Sequence, residues 1–500
     1  MVVRAGAVTQ QVDLSVPSLV GPKGARLPPP RVARVAFISV TTPSSIEGST
    51  GPWPDPLIPT VDDLVGERRR GFPTTVEAGG DVSAWVDLFV PRDASPGIYR
   101  GEAIITSDGR AAAKVPIELL VHRFVLPRSS SLSVTFGFSA ATAAQGHFGR
   151  APTDAEARAL TQRYALAALR HRISLHGGTF DPAPFSIDKS GKPIIDFRSY
   201  DDEVGPFLDG GADPGGPAAG ARWSAFDLRV PGRLAGDLRV SYLRVLAAHL
   251  AERGWIDRVF EYTADEPPDD QLAFVRERAA LTRSAAPSVG RLVTHALDPA
   301  LVGAVDIWCP TVNLLDDKPG ASNWPPRSAY DEHLRRGERL WWYQACMSHG
   351  CNIVGGPYFS GWPSYAIDAP AVAHRIMEWL TFRYRVGGEL YFDTVGAYRG
   401  GDPFQDVRRH GGNGDGTLFY PGRPSSIGGT TDIPVESIRL QRIRDGLEDY
   451  EYLTLLERKL GRAAADRIVA RVARRTFDWE HDPARLLAAR AEVARLLDQP

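Results

Sequence analysis

Near residue 128 the hydrophobic pattern of the chain changes, and this change constrains the fold more than any other feature. Upstream, short apolar alternations recur between Pro and Gly punctuation: QVDLSV, RVARVAFISV, SAWVDLFVP, GIYRGEAIITS and KVPIELLVHRFVLP. Period-two alternation in short runs predicts antiparallel strands, so residues 1–127 read as a β-sandwich. The stretch GSTGPWPDPLIP (48–59) reads as a Pro-rich loop, too broken for a strand. Downstream, near-continuous apolar runs alternate with amphipathic helices. The runs are SLSVTFGF (131–138), RISLHGG (172–178), IDRVFEYTADEP (256–267), RLVTHAL (291–297), VDIWCPTV (305–312), RLWWYQACM (339–347) and ELYFDTVGA (389–397). TLFYPG (417–422) is a weaker eighth.

Strands buried on both faces and separated by helices are parallel strands with crossover connections. Eight such units close a (β/α)8 barrel of the TIM type, here over residues 128–460. An open doubly wound sheet is the competing topology, but no Gly-rich dinucleotide fingerprint follows any run. The Gly/Pro-rich segment 205–221 reads as an exposed loop. The α/β part is followed by a C-terminal helical segment, 461–500. Within SIRLQRIRDGLEDYEYLTLLERKL, Gly446 interrupts helical spacing at about 1 kcal/mol against Ala. Close packing against Gly446, or a bend, is expected there.

Composition narrows the function classes. The 58 basic and 60 acidic residues leave a net charge of -2. That balance carries no electrostatic footprint for nucleic acid. No run approaches the ~18 apolar residues of a membrane-spanning helix. Three cysteines, Cys309, Cys346 and Cys351, are too few for a disulfide framework, although Cys346 and Cys351 could pair across a loop. No C-x-x-C, H-E-x-x-H, P-loop or G-x-S-x-G motif occurs, so no metal or cofactor is called for.

A barrel works at the C-terminal ends of its strands. The groups expected there are His176, Tyr262, Asp265, Glu266, Trp308, Asn313, Tyr343, Gln344, Asp393 and Tyr398. Aromatic walls with carboxylates suit sugars, whose faces stack on rings and whose hydroxyls need polar partners. The sharpest element is YTADEPP (262–268), in which Asp265 and Glu266 end a buried run. An enclosed carboxylic acid can donate a proton to a leaving oxygen while its neighbour stays ionised. The competing reading is an acidic helix N-terminus with Pro in its first turn. Strand alternation puts only some of Trp341, Trp342 and Tyr343 in the pocket: Tyr343 faces the ligand with Trp342 against the helices, or the reverse. Trp308 is a sugar platform or a core residue, Asp393 binds a hydroxyl or caps a loop, and Asn313 is a polar group at a strand end. His176 binds sugar or is a satisfied core histidine. The loop HGGNGDGTL (410–418) lacks the ligand series of a calcium loop and is expected to be a turn.

Four stretches together resemble the family-123 glycoside hydrolases and the bacterial proteins related to them. They are WVDLFVPRDASPGIYRG (85–101), EYTADEP (261–267), LWWYQAC (340–346) with GELYFDTV (388–395), and GDGTLFYPG (414–422) with SIRLQRIRDGLEDYEYL (437–453). The resemblance implies a β-sandwich before a (β/α)8 barrel, and a retaining β-N-acetylgalactosaminidase that uses substrate assistance. Asp265 would then hold the N–H of the sugar's 2-acetamido group, and Glu266 would be the general acid and then the base. The implied partner is a glycan or glycoconjugate, with no cofactor. A glycosidase acting on other sugars, with Asp393 as nucleophile, and a non-catalytic carbohydrate-binding barrel are the alternatives. Relatives of this type usually carry sandwich strands ahead of the stretch that resembles VVRAGAVTQQ. The expectation is therefore that the chain begins partway into its sandwich and that a leader has been lost. A secreted or cell-envelope location would follow, and a cytoplasmic one otherwise.

Overall fold

The structure, a computed structural model, describes residues 1–320, 324–351 and 356–499. Two four-stranded antiparallel sheets make the N-terminal part. Their strands are β1 (Val2–Arg4), β2 (Gln10–Ser15), β3 (Arg31–Val40), β4 (Gly51–Pro59), β5 (Thr74–Val76), β6 (Asp81–Asp87), β7 (Gly97–Ser107) and β8 (Arg110–Val121). The sheet orders are β1-β6-β3-β4 and β5-β2-β7-β8. Inward-facing Val12, Leu14, Val82, Ala84, Tyr99 and Ala103 form one buried cluster with their neighbours, as alternation requires.

The Pro-rich segment corrects the sequence reading. Gly51–Pro59 is a strand, paired antiparallel to β3 with Phe37 opposite Pro54 and Ser39 opposite Pro52. It lies at the sheet edge. A proline lacks the N–H that a central strand must donate on both sides, and an edge position does not demand it.

The second part is an eight-stranded parallel sheet. Its strands are β9 (Ser133–Ser139), β10 (Ser174–Gly178), β11 (Phe226–Asp227), β12 (Val259–Ala264), β13 (Gly290–Val293), β14 (Ile307–Trp308), β15 (Arg339–Tyr343) and β16 (Gly388–Tyr391). Their order, β10-β9-β16-β15-β14-β13-β12-β11, follows the chain around a nearly closed barrel. Polar bonds bridge the seam between β10 and β11. Ser174 Oγ accepts from the backbone N–H of Ser224 at 3.0 Å and of Ala225 at 3.2 Å. Asp227 Oδ2 accepts from Gly177 N–H at 3.0 Å.

The eighth strand is therefore Phe226–Asp227 and not 417–422. Phe419–Gly422 instead pairs antiparallel with Ile433–Glu436 outside the barrel. Two residues are too short a run to show a period, which is why β11 escapes notice in the sequence. The segment 205–221 is likewise no simple exposed loop. Residues Arg198–Asp209 are helical despite Pro206, and Val204, Phe207 and Leu208 are buried.

The main helices are α1 (Asp154–Arg170), α2 (Arg198–Asp209), α3 (Gly236–Glu252), α4 (Leu272–Ala285), α5 (Met377–Tyr384), α6 (Ile438–Leu460), α7 (Arg462–Val472) and α8 (Pro483–Asp498). A capping box starts α1: Thr153 Oγ1 accepts from Glu156 N–H, and the Glu156 carboxylate accepts from Thr153 N–H. Strand parity separates two apolar layers. Phe260, Leu292, Ile307, Trp341, Tyr343 and Leu390 cluster inside the barrel. Val259, Val293, Trp308 and Trp342 join the cluster shared with the helices. At Gly446 in α6 a Cβ would lie 2.8 Å from the Arg375 carbonyl oxygen and overlap the Glu378 carboxylate. Of the two expectations for this glycine, close packing is what the structure shows.

Candidate active site

β12 carries the acidic pair. Tyr262 points inward from it, while Glu261, one residue earlier, points outward and pairs with Arg239 of α3 and Arg278 of α4. The strand ends at Ala264, and Asp265 and Glu266 follow as exposed residues at its C-terminal end. Neither acid caps the next helical turn: Asp269–Gln271 starts after Pro268, with no side-chain cap. No capping bond of the helix-terminus reading forms at either acid. Both acids are held instead by hydroxyls of the barrel.

Asp265 Oδ1 accepts from Tyr262 Oη at 2.7 Å and from Thr294 Oγ1 at 3.0 Å. Glu266 Oε1 accepts from Tyr343 Oη at 2.5 Å. The Thr294 hydroxyl also accepts from the backbone N–H of Glu266 at 2.7 Å. Glu266 has φ of +42°, a left-handed conformation uncommon outside glycine. Such backbone strain costs on the order of 1–3 kcal/mol and persists where surrounding bonds over-determine it. Burial pushes the Tyr262 and Tyr343 phenols well above their ordinary range, and the neighbouring carboxylates Asp265 and Glu266 add to it. Both tyrosines are therefore neutral donors. Each acid keeps one carboxylate oxygen, Asp265 Oδ2 and Glu266 Oε2, outside these bonds.

The other expected residues divide. His176 is buried on β10, its ring 5.8 Å from that of Tyr262, with Nδ1 3.1 Å from Thr135 Oγ1. Burial holds its pKa down to about 4 against the opposing charge of Asp265, so the imidazole is neutral. Of the two parities that alternation left open, the structure turns Tyr343 inward and Trp342 to the helices, where it donates to Thr381 Oγ1 at 3.0 Å.

Trp308 does not join the site. It is fully buried against the helix layer, its indole N–H donating to Glu338 at 2.5 Å, because only the other strand parity, Ile307 and Cys309, faces inward. Asn313 is buried and donates to Tyr358 Oη at 3.1 Å. Asp393 Oδ1 accepts from the backbone N–H groups of Thr394 and Val395, and Oδ2 pairs with Arg399 at 3.1 Å. That is the loop-capping alternative. Burial nonetheless raises the Asp393 carboxyl, offset in part by those partners. Tyr398 is a core residue, 2.9 Å from Tyr164 Oη. Gln344 is fully buried.

Thr294 is the functional residue that sequence reading missed. Thr294 lies in the middle of the run RLVTHAL, just past the strand end at Val293, and a lone threonine there carries no chemistry until its neighbours are known.

A model of the glycoside hydrolase 123 catalytic domain matches residues 237–456, a span that contains Asp265, Glu266, Thr294 and Tyr343. Over that span the chain resembles the family-123 catalytic domain. A family 123 glycoside hydrolase from Clostridium perfringens, studied for glycolipid glycan hydrolysis, is similar along nearly the whole fold. It is 15% identical with a TM-score of 0.65, over 99% of this chain and 90% of that one. At that identity the likeness is one of fold. A family 39 glycoside hydrolase from Bacteroides cellulosilyticus WH2 superposes far more loosely, at TM-score 0.34 and 9% identity, over 87% of this chain and 80% of that one. No curated protein matches the sequence. Among the described residues no helix of the chain is long and apolar enough to cross a membrane.

Proposed function

We propose that the chain hydrolyses β-linked N-acetylhexosaminides, N-acetylgalactosamine first among them, with retention and by substrate assistance. The observation that carries this reading is the separate anchoring of two adjacent acids: Asp265 by Tyr262 and Thr294, Glu266 by Tyr343. Adjacent side chains at a strand end diverge, so one can serve the acetamide and the other the glycosidic oxygen.

In the first step the acetamido oxygen attacks the anomeric carbon as the glycosidic C–O bond breaks. Glu266 gives its proton to the leaving oxygen, and an oxazolinium ion forms. Asp265 holds the acetamide N–H through Oδ2 and faces the positive charge that develops there. In the second step Glu266 takes a proton from water, whose oxygen attacks the anomeric carbon and reopens the ring. Intramolecular attack carries a large effective-molarity advantage. Substrate-assisted enzymes need no second carboxylate as nucleophile. Asp393, the alternative nucleophile, has both oxygens engaged, which speaks against that route.

A panel of aryl β-glycosides with and without the 2-acetamido group tests the proposal. Release confined to acetamido sugars, with tight binding of a thiazoline, is the expected result. Equal release from sugars lacking the group would overturn it. A chain that binds glycans on an array but releases no aryl group would be a non-catalytic barrel.

A further inference from the structure

The loop after β15 holds a side-chain cluster that the proposed reaction does not use. Cys346, His349 and Cys351 bring their sulfurs and an imidazole nitrogen within 4.8 Å of one another. The two cysteines are bonded as a disulfide. His349 Nε2 lies 3.4 Å from Cys351 Sγ. From a different part of the chain, Asp415 Oδ2 lies 3.0 Å from Cys346 Sγ. His349, Cys351 and Asp415 are all buried, at 4%, 5% and 4% exposure.

These neighbours have little use for a disulfide. A sulfur in a disulfide bond has no proton to give a carboxylate and no charge to offer an imidazole. The same four donors around a pair of thiolates are a familiar set: two sulfurs, one nitrogen and one carboxylate oxygen. Four-coordinate zinc takes this set. Two further observations fit a built site. Asp415 Oδ1 accepts from Tyr391 Oη at 3.2 Å, an outer-shell bond that orients the carboxylate. Gly412 packs on both sulfurs, where a Cβ would lie 2.9 Å from Cys351 Sγ and 3.0 Å from Cys346 Sγ.

We infer that Cys346, His349, Cys351 and Asp415 form a zinc-class metal site in the reduced protein, with the disulfide as its oxidised, metal-free alternative. A dithiol reductant supplies the electrons. Its two thiols become a disulfide as the Cys346–Cys351 bond becomes two thiols. The metal then displaces both thiol protons, and any proton on Asp415, to solvent. Metal binding is thereby coupled to the redox state of the loop that follows Tyr343. The inference stands apart from the glycosidase reading, since neither Asp265 nor Glu266 takes part.

Cobalt binding to the whole purified chain is the test. The chain is reduced with dithiothreitol under nitrogen, freed of reductant and titrated with Co2+, with thiols counted in parallel. One Co2+ per reduced chain is expected, with thiolate-to-cobalt absorption in the near ultraviolet and the intense visible bands of a four-coordinate ion. Zn2+ should abolish both. The oxidised chain and Cys351→Ser should show neither, and Asp415→Asn should bind at least about tenfold more weakly. Three results would overturn the inference. The reduced chain, folded by circular dichroism, absorbs no more than Cys351→Ser. The disulfide resists the reductant in the folded protein. Reduction unfolds the chain and leaves no site to fill.

Discussion

The backbone N–H of Glu266 donates to the hydroxyl of Thr294 at 2.7 Å, and that same hydroxyl donates to Asp265 Oδ1 at 3.0 Å. One side chain just past β13 thus bonds to both residues that follow β12, and it holds the Glu266 backbone at its positive φ. Thr294→Val keeps the shape and removes both bonds. A lost bond to a charged group is worth about 1.5–3 kcal/mol, or roughly a ten- to hundredfold fall in kcat/KM. Thr294→Ser should recover most of it. Steady-state kinetics of both variants on an aryl acetamido glycoside check this, with unchanged thermal midpoints as the control for folding.

The two acids should separate by leaving group. Glu266→Gln removes the proton donor, and general-acid contributions run to roughly 10²–10⁴-fold. The loss should be large on an unactivated glycoside and small on one whose leaving group needs no proton. Asp265→Asn should slow both substrates alike, because it acts on the acetamide and not on the leaving oxygen. A leaving-group series read by kcat/KM distinguishes the two patterns.

A second acidic pair lies away from the site. Glu378 of α5 and Glu389 of β16 are fully buried together, and Tyr365 donates to Glu389. Burial pushes Glu389 up to about 7 and Glu378 well above its ordinary range. The folded state holds protons there that the unfolded chain releases near its ordinary value of 4.5. Their contribution to stability is therefore complete below that value and is lost as the pH rises, through about 7 for Glu389 and through the raised value of Glu378. Glu378→Gln should flatten the loss. Urea midpoints at about pH 5 and about pH 8 measure it: the wild type should fall between the two, and the variant should fall less.

Asp55 of β4 and Arg439 of α6 join the sandwich to the last part of the chain through two buried bonds, of 3.0 and 2.8 Å. Arg439 also donates to the carbonyls of Tyr365 at 2.9 Å and Gly414 at 2.8 Å, and Tyr420 donates to Asp55 at 2.6 Å. Removing one partner of a buried pair strands the other, at about 3–5 kcal/mol. Asp55→Ala should lower the unfolding free energy by that order, measured by urea denaturation.

Much of this was legible in the residues themselves. Apolar period announced the sandwich and most barrel strands, because burial on one face or two leaves a period that local composition records. Gly446 told of close packing or a bend, and the Asp265–Glu266 pair was legible as the polar end of a strand, because the buried run stops at Ala264. Other features were decided only by the tertiary structure. Phe226–Asp227 is a strand because its neighbours pair with it, and 51–59 is one because it lies at an edge where proline's missing donor costs nothing. Trp308 turned to the helices because strand parity, set by register, outranks side-chain type. Thr294 and Tyr343 hold their acids from positions 28 and 77 residues away in sequence. Such distant partners are chosen when the barrel closes, and no local pattern carries their address.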